Sequence, residues 1–257
     1  MPVSLAFAHA TIELGDGTFT EPVIRERLTV FRSSGREPAG PLRMELRKAS
    51  SAAGNWTPFT GPERPEGGFR LIGDAVELHP IVKERGALLA LRLLFARAIE
   101  ARRGILVHGS SFVVDGRAAL VTGPSGAGKS TIARWALRAG ASLLSDEVVG
   151  VLPEGRVLGT PFFSDRDLVG SEREARLAVT MTLVHGEREA FADRPAHDLV
   201  QAVCRQAFYR ASGATARDAL VCVAAALKEG RTGRFTCRNA PTAGTAIVDM
   251  LRSSACE

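Results

Sequence analysis

The sequence predicts an α/β protein built on a mixed β-sheet, with a β-rich region ahead of it. Three observations carry this. "VTGPSGAGKST", residues 121–131, sets a glycine-rich turn between an apolar strand and a helical segment. A second strand precedes it through Asp115-Gly116, the pair that a two-residue I′ turn prefers, so an antiparallel hairpin feeds the loop. Downstream, short apolar runs alternate with helical patterns. A purely parallel sheet would need a crossover before the loop, and the hairpin leaves no room for one.

Residues 1–82 read as a β-rich N-terminal region. "VSLAFAHATIEL", "RLTVFRS", "LRMELRK", "FRLIGD" and "AVELHP" are short, partly alternating runs between turn formers. "SSAAGNWTPFTGPERPEGG" reads as a long loop. Residues 83–257 read as the main domain. It opens on a helix from about Glu84 to Arg103, with Leu88, Leu91, Phe95, Ala98 and Ile99 at helical spacing. Strands are expected at 105–108, 111–114 and 117–122, then a helix over about 129–139 that Gly140 ends. "ASLLS" is a short strand ending at Asp146-Glu147. "VVGVLPEGRVLG" is a hairpin turning at Pro153-Glu154-Gly155, and "ARLAVTMTLVHG" a longer strand. "PAHDLVQAVCRQAFYRA" and "ATARDALVCVAAALKEG" read as helices, "GRFTCRN" as a strand and "AGTAIVDMLRSS" as a last helix.

The chain of 257 residues is 45% hydrophobic and 24% charged, which is ordinary globular composition and excludes a disordered chain. The net charge is +5, but the arginines are scattered, and no basic block interleaved with aromatics points to nucleic acid. No apolar run reaches the length of a membrane span; "ALLALRLLFARAIEA" is broken by Arg92 and Arg97. "MPVSLAFAHATIEL" lacks the basic start of a signal peptide. Cys204, Cys222, Cys237 and Cys256 are far apart, with no C-x-x-C pair, so reduced thiols and a cytoplasmic setting are expected.

The segment Gly123 to Ser130 fits G-x-x-x-x-G-K-[ST]. Gly123, Pro124, Ser125, Gly126, Ala127 and Gly128 form a turn whose backbone N–H groups can point inward around a phosphate. The helix that begins at Lys129, Ser130 and Thr131 adds positive potential. Lys129 can reach the β- and γ-phosphates, and the Ser130 hydroxyl can join a Mg²⁺ shell. The pattern therefore predicts a nucleoside triphosphate and Mg²⁺. Because a helix joins the loop strand to "ASLLS", those two strands are expected to be parallel neighbours. Asp146 and Glu147 then lie at the carboxyl end beside the loop, where ligands of open α/β sheets bind. One carboxylate can hold Mg²⁺; the other can take a proton from an acceptor hydroxyl. His108, at the end of its strand before Gly109-Ser110-Ser111, is the third candidate.

Together, "LVHGSSFVVDGRAALVTGPSGAGKSTIARWALRAGASLLSDEVV" resembles the catalytic core of HPr kinase/phosphorylase and its HPr-kinase-like relatives. The resemblance spans about 45 residues, with looser echoes in "LGTPFF" and "ARLAVTMTLVHG". It implies a mixed-sheet fold related to that of phosphoenolpyruvate carboxykinase, and transfer of the γ-phosphoryl of ATP to a protein serine. It implies that Lys129 and Ser130 serve phosphate and metal, that Asp146 is the metal acid, that Glu147 is the general base and that His108 assists. HPr kinases are homohexamers, so a homo-oligomer is implied too. The chain departs from the family in two places. Glu147 stands where HPr kinase has Asp, and the downstream E-[IV]-R-G-x-G segment is missing; "SEREARLAV" is the nearest string. These departures point to a small protein or peptide acceptor other than HPr. Two other readings stay open at this level: a nucleotide-binding regulatory or assembly module without transferase activity, and a kinase of a small hydroxylated molecule.

Overall fold

The computed structural model describes residues 3–31, 42–59, 65–163, 168–171, 173–208 and 215–254. The chain divides into two compact units, Met1–Ala98 and Ile99–Glu257. Among the described residues the class is α/β, with one mixed sheet in each unit.

In the first unit, β1 (Val3–Phe7) and β2 (Ala10–Leu14) form a hairpin, followed by α1 (Pro22–Val30) and β3 (Leu42–Lys48). Then come β4 (Thr57–Pro58), β5 (Gly68–Ile72), β6 (Ala75–Leu78) and the long helix α2 (Glu84–Glu100). The strand order is β1-β2-β3-β6-β5-β4, with β2–β3 and β3–β6 parallel. The strand expected at "RLTVFRS" is instead part of α1, and residues 32 and 33 lie outside the described residues. Ile24, Leu28 and Phe31 bury at helical spacing while Val30 is exposed, and Pro22 opens the first turn. Parallel β2 and β3 also need a crossover, which α1 supplies. The expected loop at 50–68 carries the two-residue β4; residues 60–64 of it lie outside the described residues.

In the second unit, β7 (Ile105–Val114) and β8 (Arg117–Thr122) form the predicted hairpin. Asp115 and Gly116 have φ of 52° and 76°, as a I′ turn requires. The two strands expected at 105–108 and 111–114 are one continuous strand. The chain continues through α3 (Lys129–Arg138), β9 (Ser142–Ser145), β10 (Val148–Leu152), β11 (Arg156–Leu158) and β12 (Glu174–His185). It ends with β13 (Ala190–Asp193), α4 (Ala196–Cys204), α5 (Ala216–Ala226), β14 (Arg231–Cys237) and α6 (Pro241–Ser253). The order is β11-β10-β7-β8-β12-β14-β13, with β9 also paired to β7. Only the β8–β12 and β12–β14 pairs are parallel among those described. Residues 209–211 of the first expected helix lie outside the described residues.

The two faces of this sheet bury separate cores. Val107, Leu120 and Leu177 pack under α4 and α5 through Leu199, Val203 and Val223. Phe112, Val121 and Met181 pack under α3 and α6 through Ile132, Ala136, Ile247 and Leu251. Gly244 lets α6 approach α3, because a Cβ there would strike the Trp135 backbone carbonyl. The loop strand β8 and the acidic-pair strand β9 are not neighbours, contrary to the sequence reading. They are parallel, but β7 lies between them, antiparallel to both. The cause is the hairpin: β7 is already bonded along the edge of β8 that β9 would have used.

Candidate phosphate-binding site

The loop after β8 uses its glycines for backbone conformations that side chains disfavour. Gly123, Gly126 and Gly128 have φ of 147°, 80° and 92°. Gly128 is the N-cap of α3, and no side chain caps that terminus. No acidic residue occupies the first turn either. The start of α3 thus brings the partial positive charge of a helix N-terminus to the loop.

Lys129 is buried, at 7% exposure. Its ammonium donates to the carbonyls of Gly123 and Pro124, both at 2.9 Å, and so staples the loop to the helix start. Burial pushes its pKa down, and the nearby Asp146 carboxylate opposes that shift. Ser130 and Thr131 follow half-buried in the first turn.

Asp146 reaches the same place from the end of β9. It is only 2% exposed, and the Ser110 hydroxyl donates to its Oδ1 at 2.8 Å. Glu147 is half-buried, and its backbone carbonyl accepts from Gly109 N–H at 3.0 Å. His108 Nδ1 lies 3.0 Å from that same carbonyl. A carbonyl only accepts, so Nδ1 carries the proton there and Nε2 holds the ring lone pair in the neutral form. The structure thus gathers Lys129, Asp146, Glu147 and His108 around one end of the sheet, although an extra strand separates the two motif strands.

Beneath the acidic pair lies a buried polar knot. Ser145 Oγ donates to the Val148 carbonyl at 2.6 Å and lies 3.1 Å from Thr160 Oγ1, which donates to the same carbonyl. Gly159 and Gly170 allow this close approach, since a Cβ at either would strike the Leu144 carbonyl. The knot fixes the β9–β10 turn that carries Asp146 and Glu147.

No protein-family model matches the chain, and no curated protein matches it. Among solved structures it is similar to the Hpr(Ser) kinase/phosphatase from Coxiella burnetii, at 14% identity and a TM-score of 0.31, over 58% of this chain and 94% of that one.

The donor set suits a magnesium nucleotide. A buried carboxylate, a first-turn hydroxyl and uncapped helix N–H groups are hard oxygen ligands and phosphate donors. No cluster of three or more His, Cys, Asp or Glu that could hold a metal occurs among the described residues. Among the described residues no helix is long and apolar enough to cross a membrane. Cys204, Cys222 and Cys237 are free thiols, and Cys256 lies outside the described residues.

Sequence reasoning missed Ser110, Ser145 and Thr160. Ser110 had a signal: with Ser111 it places two hydroxyls inside a largely apolar strand, directly after His108 and Gly109. Ser145 and Thr160 had none, because their partner is a backbone carbonyl that only the fold brings between them.

Proposed function

We propose that this protein is an ATP- and Mg²⁺-dependent phosphotransferase, a serine/threonine kinase acting on a small protein or peptide other than HPr. The observation that carries the reading is the convergence of a buried Lys129 and a buried Asp146 at an uncapped helix terminus. Buried charges are costly unless paired and hydrogen-bonded, as these two are, and such arrangements cluster at functional sites.

In this reading the backbone N–H groups of 123–130 and the Lys129 ammonium bind the β- and γ-phosphates. Ser130 and Asp146 would hold Mg²⁺, which supplies charge neutralisation on the phosphates. Glu147 takes the proton of the acceptor hydroxyl as its oxygen bonds to the γ-phosphorus and the bond to the β–γ bridging oxygen breaks. His108, protonated at Nδ1, holds the Glu147 backbone in place. The acceptor assignment away from HPr rests on the missing E-[IV]-R-G-x-G segment.

The test is incubation with γ-labelled ATP, Mg²⁺ and either HPr or a dephosphorylated pool of proteins and peptides. Wild type should label serine or threonine in the pool and leave HPr nearly unlabelled, and Lys129→Ala should label neither. Absence of transfer by wild type, or equal transfer by Lys129→Ala, would overturn the assignment.

A further inference from the structure

The strand order gives the phosphate loop two unlike flanks. On one side lie β7 and β9, carrying His108, Asp146 and Glu147. On the other lie β12 and β14, and there a small pocket of about 160 Å³ opens against the loop. Gly128 and Thr131 begin it, Ile132 and Leu183 give apolar surface, and Trp135 and Asn239 line its α3–β14 side.

We propose that this pocket takes the base of a purine nucleoside triphosphate, so that the nucleotide lies across the loop with its base toward β12 and β14 and its terminal phosphate toward Asp146 and Glu147. The proposal rests on the phosphate-loop reading above and adds the direction and the base site. Three observations carry it. The pocket is continuous with the first turn of α3, so a ligand whose phosphates occupy the loop has its remainder beside it. Its volume is below the roughly 300–1,000 Å³ of pockets for whole drug-sized ligands. That suits one flat ring system rather than a length of peptide. The pocket wall is also held in shape before any ligand arrives. The Trp135 indole N–H donates to Asn239 Oδ1 at 2.9 Å, and the Arg138 guanidinium lies 4.6 Å from the indole centroid. An indole N–H is donor only, so Asn239 must present its carbonyl oxygen to Trp135. Its amide NH₂ is thereby turned elsewhere, as a donor for the ring nitrogens of a purine. The acceptor peptide is left the opposite flank, beside Glu147.

The chain has two tryptophans, Trp56 and Trp135, which makes the test direct. In a Trp56→Phe background, Trp135 emission is followed during titration with Mg-ATP and with magnesium tripolyphosphate, and affinities are measured by calorimetry. Mg-ATP should bind more tightly than tripolyphosphate and change Trp135 emission where tripolyphosphate does not. Asn239→Ala should weaken ATP about 2- to 10-fold and leave tripolyphosphate unaffected. Equal affinity of the two ligands, with no ATP-specific change in emission, would overturn the base pocket and leave the phosphate loop standing. Binding of neither ligand, or undiminished binding of both to Lys129→Ala, would overturn the phosphate loop and the pocket with it.

Discussion

Ser110 donates its hydroxyl to Oδ1 of Asp146 at 2.8 Å, and both side chains are buried. The bond runs between β7 and the end of β9, its antiparallel neighbour on the side away from the loop strand. It leaves Asp146 with a fixed orientation and one oxygen already engaged. Ser110→Ala should therefore raise the Mg²⁺ concentration needed for nucleotide binding by about 10–100-fold, the usual effect of losing a group that orients a ligand. Titration of Mg²⁺ at fixed ATP checks this, and Ser110→Thr should restore much of the loss. An unchanged Mg²⁺ requirement in Ser110→Ala would remove Asp146 from the metal site.

Asp146 and Glu147 should divide the work. Asp146 is buried against Ser110, whereas Glu147 is half-buried and holds the turn through its backbone carbonyl. Glu147→Gln keeps shape and removes the base, so Mg-ATP affinity should persist while transfer falls about 10²–10⁴-fold. Asp146→Asn should weaken Mg²⁺ dependence and nucleotide binding together. Calorimetry and single-turnover transfer separate the two; wild-type transfer by Glu147→Gln would exclude it as the base.

Gly159→Ala should destabilise by about 1–3 kcal/mol or more. A Cβ there would strike the backbone carbonyls of Ser171 and Leu144, and neither can swing aside as a side chain would. The Thr160 contact with Ser145 should loosen as well, so nucleotide binding should suffer even below the melting temperature. Urea denaturation measures the first effect and calorimetry the second.

Glu174 predicts a pH effect. Burial favours its neutral form, but hydrogen bonds from Arg102 at 2.8 Å and from Arg156 outweigh that and hold its carboxyl below the ordinary range. A carboxyl depressed in the folded state contributes stability above its unfolded pKa of about 4.3 and loses it as pH falls through the folded value. Glu174→Gln should therefore be less stable than wild type at neutral pH, and the gap should close in acid. Denaturant melts at pH 7 and near pH 3 would show it; a gap independent of pH would mean that the two arginine contacts add no net stability.

Local chemistry determined much of this protein from sequence alone. The I′ turn at Asp115-Gly116, the glycine turn before Lys129 and the stop at Gly140 each depend on a few adjacent residues, so they could be read directly. Gly140 N–H bonds to Leu137 O and Ala141 N–H to Ala136 O, both at 3.0 Å, closing α3 as a glycine C-terminus should. Segment 27–33 misled because "RLTV" alternates locally, whereas Ile24, Leu28 and Phe31 bury together only once β2 and β3 pair in parallel. Tertiary structure alone decided that β7 separates β8 from β9, since two strands compete for one edge and the hairpin, joined by two residues, takes it. It also decided the hydrogen bond of Ser110 to Asp146, 36 residues along the chain, and the knot of Ser145 and Thr160. Such contacts depend on register between distant segments, and the sequence of either segment carries no mark of the other.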